Sequence, residues 1–308
     1  MMQRLKDYLV RLGPQNRLVR LALWLHARRR GFAVRFKRDH ICIRHARREI
    51  RLAHRDFYLV PIMLEVFAQT FDELSAPRQG AYAVLDFSRP GTHRYIRRGL
   101  TLSFPGMAED DSIAGYTHRY RPQPGDLVFD IGAHAGFTTC ILARMVAPGG
   151  RVIAFEPDPV SLEYLARNLR DQNISNVTVV PKAVDAFTGT ASFNADGTMG
   201  AGLADHSVYG NTGKHIVVET TSLADACATF GTPQFLKMDI EGAEIAVIAS
   251  VGEFLRTHPM HLAFDSYHRM RDGRYTYMLL EPMLSALGYD VESSAEFGQM
   301  FTWASPRS

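Results

Sequence analysis

Residues 126–158 constrain the fold more than any other part of this sequence. The stretch reads DLVFDIGAHAGFTTCILARMVAPGGRVIAFEPD: an apolar run, a turn bracketed by glycines, a helical segment, a second apolar run and a terminal acid. This is the order of a βαβ nucleotide-binding unit. Near-continuous apolar runs are typical of parallel strands that are covered on both faces. The stretch therefore predicts an α/β domain with a doubly wound, mostly parallel sheet.

The turn of this unit indicates the kind of ligand. Gly132 and Gly136 bracket it, and glycine lets a backbone turn sharply and approach a ligand closely. Asp130, at the mouth of the turn, would repel a pyrophosphate but suits a ligand that carries an ammonium or sulfonium group. Glu156 follows the second apolar run, 24 positions after Gly132, where an acid can accept hydrogen bonds from ribose hydroxyls. The alternative for Glu156 is a loop acid without a ligand.

Charged side chains collect near the ends of two later apolar runs, at 235–238 and 260–264. They are Lys237, Asp239, Glu241, Glu244, Asp265 and His268. The carboxyl ends of neighbouring parallel strands meet at the ligand crevice of an open α/β sheet. We therefore expect Asp239 and Asp265 to lie close together, as a general base or as a carboxylate pair able to hold a divalent ion.

Two of these residues have a structural alternative. His268 titrates in a range that suits proton abstraction, but an isolated histidine can equally be structural or solvated. Glu244 lies in the first turn of a helix predicted to begin at Gly242 or Ala243, where an acid can simply stabilise the helix dipole.

Four sequence blocks occur in order: DIGAHAGFTT, FEPDPVSLEYLARN, VVPKAV and FLKMDIEGAEIAVI. Through these blocks, residues 120–305 resemble the S-adenosylmethionine-dependent methyltransferases of the FkbM type. The G-x-x-x-G spacing differs from the dinucleotide pattern G-x-G-x-x-G, and His134 stands where the family commonly carries Asn. The resemblance implies a seven-stranded sheet of order 3-2-1-4-5-7-6, S-adenosylmethionine as cofactor and S-adenosylhomocysteine as product.

The resemblance also implies the residues of the site. Those expected at the cofactor are Asp130, Gly132, Ala133, His134, Gly136, Glu156, Pro157, Lys182, Ala183 and Asp239. Those expected at the methyl acceptor are Asp239, Asp265, His268, Glu241 and Lys237. A resident metal is not expected. The implied reaction is methyl transfer to a hydroxyl oxygen of a sugar, a glycolipid or a small natural product.

The first 60 residues are strongly basic. They hold 16 of the 35 Lys and Arg residues and 4 of the 32 acids, so their net charge is +12, against −9 for the rest of the chain. This asymmetry predicts a basic α+β region over residues 1–120 before a catalytic domain over residues 121–308. Its arginines are compatible with contact to an anionic membrane surface or to phosphate. A basic face that is merely solvated is the alternative.

Periodicity predicts the elements of this basic region. They are helices over 4–12, 18–25 and 56–74, short antiparallel strands between 33 and 52, and further strands between 82 and 105. Later in the chain, residues 194–214 contain five glycines. A loop of this length is often functional, so it is predicted to be a flexible hairpin over the substrate entrance, or else an edge decoration.

The compartment follows from cysteine usage. Cys42, Cys140 and Cys227 form no CxxC pair, which fits a reducing environment. No apolar run approaches the roughly 20 residues of a membrane span, and the N-terminus has no signal-peptide core, although its arginines would also fit an organellar presequence. We expect a cytoplasmic protein that contacts at most the inner membrane face.

Three other functions are compatible with parts of the sequence. A nucleic-acid methyltransferase would use the basic region for phosphate contacts, but there is no RNA-binding motif and no N/D-P-P-Y/F tetrapeptide after the fourth core strand. A nicotinamide dehydrogenase is disfavoured by the glycine spacing. The non-enzyme alternative is a membrane-binding or polyanion-binding protein that only senses S-adenosylmethionine.

Overall fold

The computed structural model describes residues 12–195, 201–203, 214–270 and 272–307. The chain divides into two compact units, Met1–Asp110 and Asp111–Ser308. This division lies between residues 110 and 111, earlier in the chain than the boundary predicted near residue 120. The helix predicted over residues 4–12 lies outside the described residues except for its last position.

In the first unit, helix α1 (Arg17–Arg29) begins at Asn16, whose side chain accepts hydrogen bonds from the backbone N–H groups of Leu18 and Val19. The described strands form a five-stranded sheet of order β1-β2-β3-β5-β4 and a separate two-stranded hairpin, β6-β7. They are β1 (Ala33–Phe36), β2 (Ile41–His45), β3 (Arg48–Leu52), β4 (Arg78–Gln79), β5 (Tyr82–Phe87), β6 (Gly91–Tyr95) and β7 (Leu100–Phe104). The antiparallel pairing predicted between residues 33 and 52 is confirmed.

The single helix predicted over residues 56–74 is wrong. The chain instead forms a 3-10 helix (His54–Leu59), α2 (Val60–Glu65) and α3 (Phe67–Glu73). Pro61 has no N–H to donate and therefore lies in the first turn of a new helix. At Val66 the backbone leaves helical geometry, with φ −90° and ψ 6°, so α2 ends there. The apolar spacing alone did not indicate these breaks.

The main sheet of the second unit has the order β10-β9-β8-β15-β16-β18-β17. Its strands are β8 (Leu127–Ile131), β9 (Arg151–Phe155), β10 (Val177–Val180), β15 (Phe235–Met238), β16 (His261–Asp265), β17 (Tyr289–Ser294) and β18 (Phe301–Pro306). The first five are parallel to their neighbours among these five, whereas β18 runs antiparallel to β16 and to β17. The carboxyl ends of β8, β9, β15 and β16 therefore lie along one edge of the sheet.

The first described helix of this unit precedes its first strand, and the others lie between its strands in the sequence. They are α4 (Ile113–Tyr116), α5 (Phe137–Val146), α6 (Pro159–Asp171), α7 (Leu223–Phe230), α8 (Glu244–Ser250), α9 (Gly252–Thr257) and α10 (Thr276–Ala286). The side chain of Asp158 caps α6 by accepting the N–H of Val160 at 2.7 Å, and Pro159 occupies the first turn, as the sequence predicts.

A smaller sheet of order β11-β14-β12-β13 contains the borders of the glycine-rich segment. Its strands are β11 (Ala183–Asp185), β12 (Gly189–Ala195), β13 (Gly202–Leu203) and β14 (Lys214–Ser222). β12 and β14 pair antiparallel. Residues 196–200 and 204–213 lie outside the described residues, so the predicted hairpin over the substrate entrance stays a prediction.

Candidate functional site

The turn after β8 is pressed against the backbone that follows β15. Gly132 has φ +81°, and a Cβ atom at this position would lie 1.9 Å from the carbonyl oxygen of Asp239. The N–H groups of Gly132 and Ala133 both donate to the carbonyl oxygen of Phe155, at 3.0 and 3.1 Å. Only glycine can occupy position 132, because any side chain would clash with the carbonyl oxygen of Asp239. The turn thus joins the ends of β8, β9 and β15.

His134 occupies the left-handed region, with φ +47°. Asn, Asp and His all tolerate this conformation better than most other residues do, so the backbone accommodates His134 as well as the Asn that the family commonly carries. The backbone N–H of His134 donates to Oε2 of Glu156 at 2.8 Å. Residue 134 therefore orients the acid at the end of β9 through its backbone, whichever side chain it carries.

Glu156 is held by two backbone groups. Its Oε1 accepts the N–H of Asp158 at 2.8 Å, and its Oε2 accepts that of His134. Burial raises the pKa of Glu156 to about 7, and the two backbone hydrogen bonds offset only part of this rise. A carboxylate has about four acceptor positions, so each oxygen can accept one further hydrogen bond, for example from a hydroxyl group.

Asp130 and Lys237 form a buried ion pair beneath the turn. Nζ of Lys237 lies 3.2 Å from Oδ1 of Asp130 and donates to the carbonyl oxygen of Gly132 at 2.6 Å. Oδ2 of Asp130 accepts the hydroxyl of Thr139, on α5, at 2.6 Å. Lys237 therefore holds the turn through the carbonyl oxygen of Gly132, and Asp130 holds Lys237 in place. Contact of Asp130 with the cofactor and of Lys237 with the acceptor stays a prediction.

Asp239 follows β15, and Oδ2 of its carboxylate accepts the hydroxyl of Tyr116 at 3.0 Å. The ring of Tyr116 in turn lies 5.4 Å from Nζ of Lys237. The sequence patterns indicate neither Tyr116 nor Thr139 as a residue of the site. Tyr116 lies before the predicted domain boundary, and no spacing rule connects it with an acid 123 positions later. Thr139 stands within the DIGAHAGFTT block, and this was the available signal for it.

His268 meets the acids that follow β15. Its Nε2 lies 3.7 Å from Oδ1 of Asp239 and 3.7 Å from Oε2 of Glu241, and its Nδ1 lies 3.4 Å from Oε1 of Glu244. Burial lowers the pKa of His268, but the charges of Glu241 and Glu244, with a smaller effect from Asp265, raise it well above its ordinary value. In the absence of another cation, these charges therefore favour the protonated imidazole.

Asp265 ends β16 and is buried. The structure brings Asp239 together with Glu241 and His268, and one ligand atom from each of these residues lies within 4.8 Å of the others. The predicted pairing of Asp239 with Asp265 stays a prediction. Asp265 acts on this cluster through its charge on His268.

The other residues predicted at the cofactor lie along the same edge of the sheet. Pro157, which is half-buried, follows Glu156, and Gly136 is the N-cap of α5, with φ +91°. Nζ of Lys182 pairs with Glu219 at 2.9 Å, and the side chain of Ala183 is buried in a small apolar cluster. The backbone of residues 182 and 183 thus remains the part predicted to lie near a cofactor.

Comparison with known proteins gives the family. The family model for the methyltransferase FkbM domain matches residues 130–291, which is more than half of the chain. The chain is 38% identical over 85 residues to a protein-L-isoaspartate O-methyltransferase of Aeropyrum pernix, covering 28% of this chain and 31% of that protein. It is 27% identical over 163 residues to the 31-O-demethyl-FK506 methyltransferase FkbM of Streptomyces tacrolimicus, covering 44% and 62%. The chain thus spans less than two thirds of either relative.

Among solved structures, the crystal structure of methyltransferase FkbM from Methylobacillus flagellatus is similar over 82% of this chain and 54% of that chain, with 17% identity and a TM-score of 0.47. In the parts of the chain that the structure describes, no helix is long and apolar enough to cross a membrane.

Proposed function

The chain belongs to the FkbM methyltransferase domain family, whose methyl donor is S-adenosylmethionine, and from this premise we propose that it methylates a hydroxyl oxygen. The proposed acceptor is a sugar, a glycolipid or another small natural product. The relative from Streptomyces tacrolimicus is named for methylation at an oxygen of a demethylated FK506, which supports oxygen as the acceptor atom.

One observation carries the proposal. The turn at Gly132, where we expect the methyl donor to bind, contacts the carbonyl oxygen of Asp239. The expected donor site and the polar cluster of Asp239, Glu241 and His268 therefore lie at one edge of the sheet. Methyl transfer requires mainly that acceptor oxygen, methyl and sulfur lie in line at close range. A cluster of carboxylates directly beside the donor turn meets this requirement.

The residues at the turn fit S-adenosylmethionine. Glu156 has acceptor positions for ribose hydroxyls beyond the two that backbone N–H groups use. Asp239 favours a ligand with positive charge, whereas Lys237 balances the charge of Asp130. Glu156 would hold the ribose, and the turn residues Gly132, Ala133 and His134 would hold the amino-acid portion.

When bound, S-adenosylmethionine supplies a methyl group on a positively charged sulfur, which keeps the electron pair of the broken sulfur–carbon bond. The protein has to position the acceptor and take its proton. An imidazole held protonated cannot accept a proton, so His268 in that state orients the carboxylates. Asp239, whose Oδ2 is already fixed by Tyr116, is the proposed proton acceptor through Oδ1.

Labelled-methyl transfer tests the proposal. The full chain is incubated with methyl-labelled S-adenosylmethionine and with fractionated glycans, lipids and small molecules. We expect a methyl ether that survives base. We also expect Asp239→Asn to lower the transfer rate by about 100-fold or more, well beyond its effect on S-adenosylhomocysteine affinity by calorimetry. The control is Asp171→Asn, at an exposed carboxylate on α6.

Three results would contradict the proposal. A base-labile methyl ester on protein would indicate carboxyl methylation, the activity for which the isoaspartate methyltransferases are named. Label on nitrogen would exclude the oxygen acceptor. Failure of the wild-type chain to bind S-adenosylhomocysteine would remove the donor site itself.

We also propose that α1 brings the protein to an anionic membrane surface. Four apolar side chains on α1 are exposed: Leu18, Leu21, Trp24 and Leu25. Exposed arginines, Arg17, Arg28 and Arg29, flank them at the two ends of the helix. An exposed apolar face bordered by arginines is typical of helices that lie in the interface of anionic membranes. Such a contact would bring a glycolipid acceptor close to the enzyme.

A further inference from the structure

We propose that Asp239, Glu241 and His268 bind one divalent cation at the acceptor side of the site. The existence of this cation site does not depend on the activity of the protein. Its role, which is to hold the acceptor oxygen, rests on the proposed methyl transfer.

The geometry of the donor atoms points to a cation. Oδ1 of Asp239 and Oε2 of Glu241 each lie 3.7 Å from Nε2 of His268, and one ligand atom from each of the three residues lies within 4.8 Å of the others. These separations are too long for hydrogen bonds. A cation placed between three such atoms would lie about 2.8 Å or less from each, which approaches the range of about 2.0 to 2.6 Å for oxygen and nitrogen ligands of divalent ions.

The histidine gives a second, independent observation. His268 is 3% exposed, and its Nε2 makes no hydrogen bond to any residue that the structure describes. A buried polar atom normally has a partner. Here the nitrogen points at two carboxylate oxygens without bonding to either. A cation between the three groups would satisfy this nitrogen, since neutral imidazole is a common metal ligand.

Glu244 occupies the position of an outer support. It is fully buried, and its Oε1 lies 3.4 Å from Nδ1 of His268 and accepts the backbone N–H of Ile240 at 2.9 Å. Histidines that bind metals usually present their second nitrogen to a carboxylate or a carbonyl group, which orients the ring. The arrangement of Glu244, His268 and the facing carboxylates follows this pattern.

The set of ligands indicates the class of ion. One imidazole and two carboxylates, without sulfur, suit Mn²⁺, Fe²⁺ or Zn²⁺. Three protein ligands leave coordination positions open, as in catalytic metal sites. A hydroxyl oxygen bound at an open position would lose its proton more readily, because the cation withdraws electron density from it. The proposed role of the cation is therefore to position and acidify the acceptor hydroxyl, whose proton then passes to water. In the cation-bound site Oδ1 of Asp239 and Nε2 of the neutral His268 are ligands, so Oδ1 of Asp239 acts as the proton acceptor only in the cation-free site.

Manganese binding provides the test. The full chain is freed of metal with a chelator and titrated with MnCl₂, without S-adenosylmethionine or acceptor, and free Mn²⁺ is followed by electron paramagnetic resonance. We expect one Mn²⁺ per chain, with a spin-echo modulation from an imidazole nitrogen. Glu241→Gln and His268→Gln should each weaken binding at least about tenfold, and His268→Gln should remove the nitrogen modulation.

Matched controls lie on a neighbouring helix. Glu253→Gln and His258→Gln change the same residue types at exposed positions on α9 and at its end, and they should bind Mn²⁺ as the wild type does. Circular dichroism checks that each variant is folded. Glu241→Gln keeps the test decisive if His268→Gln does not fold, because it changes one atom of a partly accessible side chain.

The outcomes separate this inference from the proposed function. If the metal-free chain binds S-adenosylhomocysteine but no Mn²⁺, or if Glu241→Gln binds Mn²⁺ as tightly as Glu253→Gln, the cation site is disproved and the methyltransferase proposal stands. If Mn²⁺ binds with the nitrogen signal, the cation site is supported even where no acceptor is methylated.

Discussion

At the scale of single residues, Glu156 makes cofactor binding depend on pH. Its pKa in the folded chain is about 7 because the side chain is buried. Ribose hydroxyls donate more strongly to an ionised carboxylate than to a protonated one. We therefore expect the affinity for S-adenosylhomocysteine to rise with pH up to about 7, by up to about tenfold per pH unit below that value, and then to level off.

Calorimetry between pH 5.5 and 8.5 checks this prediction. Glu156→Gln keeps the shape of the side chain but cannot ionise, so its affinity should be lower at pH 8 and nearly independent of pH. A wild-type affinity that does not change across this range would show that the carboxylate of Glu156 does not accept a hydrogen bond from the ligand.

The same residue predicts a change in stability. Because its pKa is raised from 4.5 to about 7 on folding, the folded chain holds more protons than the unfolded chain between these values. Glu156 therefore lowers the free energy of unfolding as pH rises through this window, by at most about 1.4 kcal/mol per pH unit. Urea unfolding at pH 5, 6, 7 and 8 should show that the free energy of unfolding of the wild type falls, relative to that of Glu156→Gln, as pH rises. The opposite slope would contradict the prediction.

Single residues also show how far the sequence could lead to the site. Glu156 and Asp239 could be found because each comes directly after an apolar run, and the ends of parallel strands meet at one edge. Tyr116 could not be found in this way, because its contact with Asp239 depends on tertiary packing. The mutual position of Glu241 and His268 is also a tertiary result, since each residue follows a different strand.

At the scale of elements, the turn after β8 is the least tolerant segment of the site. In Gly132→Ala, the new Cβ would lie 1.9 Å from the carbonyl oxygen of Asp239, a backbone atom that cannot rotate away. The left-handed φ of +81° adds strain. We expect a loss of at least about 2 kcal/mol in the free energy of unfolding, measured by urea unfolding, together with loss of S-adenosylhomocysteine binding.

A second glycine separates the effect of the clash with Asp239 from the effect of backbone strain. Gly288 has a similar φ of +91°, but a Cβ there would meet no atom within 4 Å. Gly288→Ala therefore reports conformational strain alone, and it should cost less than Gly132→Ala and leave ligand binding intact. Equal losses in the two variants would show that the contact between the turn and Asp239 does not limit the site.

Elements also differ in how well the sequence predicts them. Helix α6 begins where the Asp158-Pro159 pair predicts, because a capping acid and a proline act locally. The segment over residues 56–74 breaks at Val66 because its backbone leaves helical geometry there, which apolar spacing does not report. The parallel pairing of β3 with β5 joins distant segments, and the alternation within each strand does not specify its partner.

At the scale of the whole molecule, positive charge is concentrated at one end of the sequence. The first 60 residues carry a net charge of +12 and the rest carries −9. Charge attracts a protein to an anionic surface, but only within about 8 to 10 Å at physiological salt. Lasting attachment needs apolar contact as well. The exposed apolar side chains of α1, of which Leu18 is 69% exposed, are placed to provide it.

Vesicle binding by the full chain measures the two contributions separately. We expect co-sedimentation with vesicles that contain phosphatidylserine, and much weaker binding to purely phosphatidylcholine vesicles. Leu21→Glu should weaken binding at low and at high salt, because it removes apolar area and places a negative charge on the exposed face. Arg28→Gln should weaken binding mainly at low salt, since added salt screens the charge that it removes.

Met278→Glu, at an exposed apolar side chain on α10, is the control and should bind as the wild type does. Equal binding by wild type and Leu21→Glu would mean that α1 does not enter the membrane interface, and the basic end of the chain would then have to be assigned another partner.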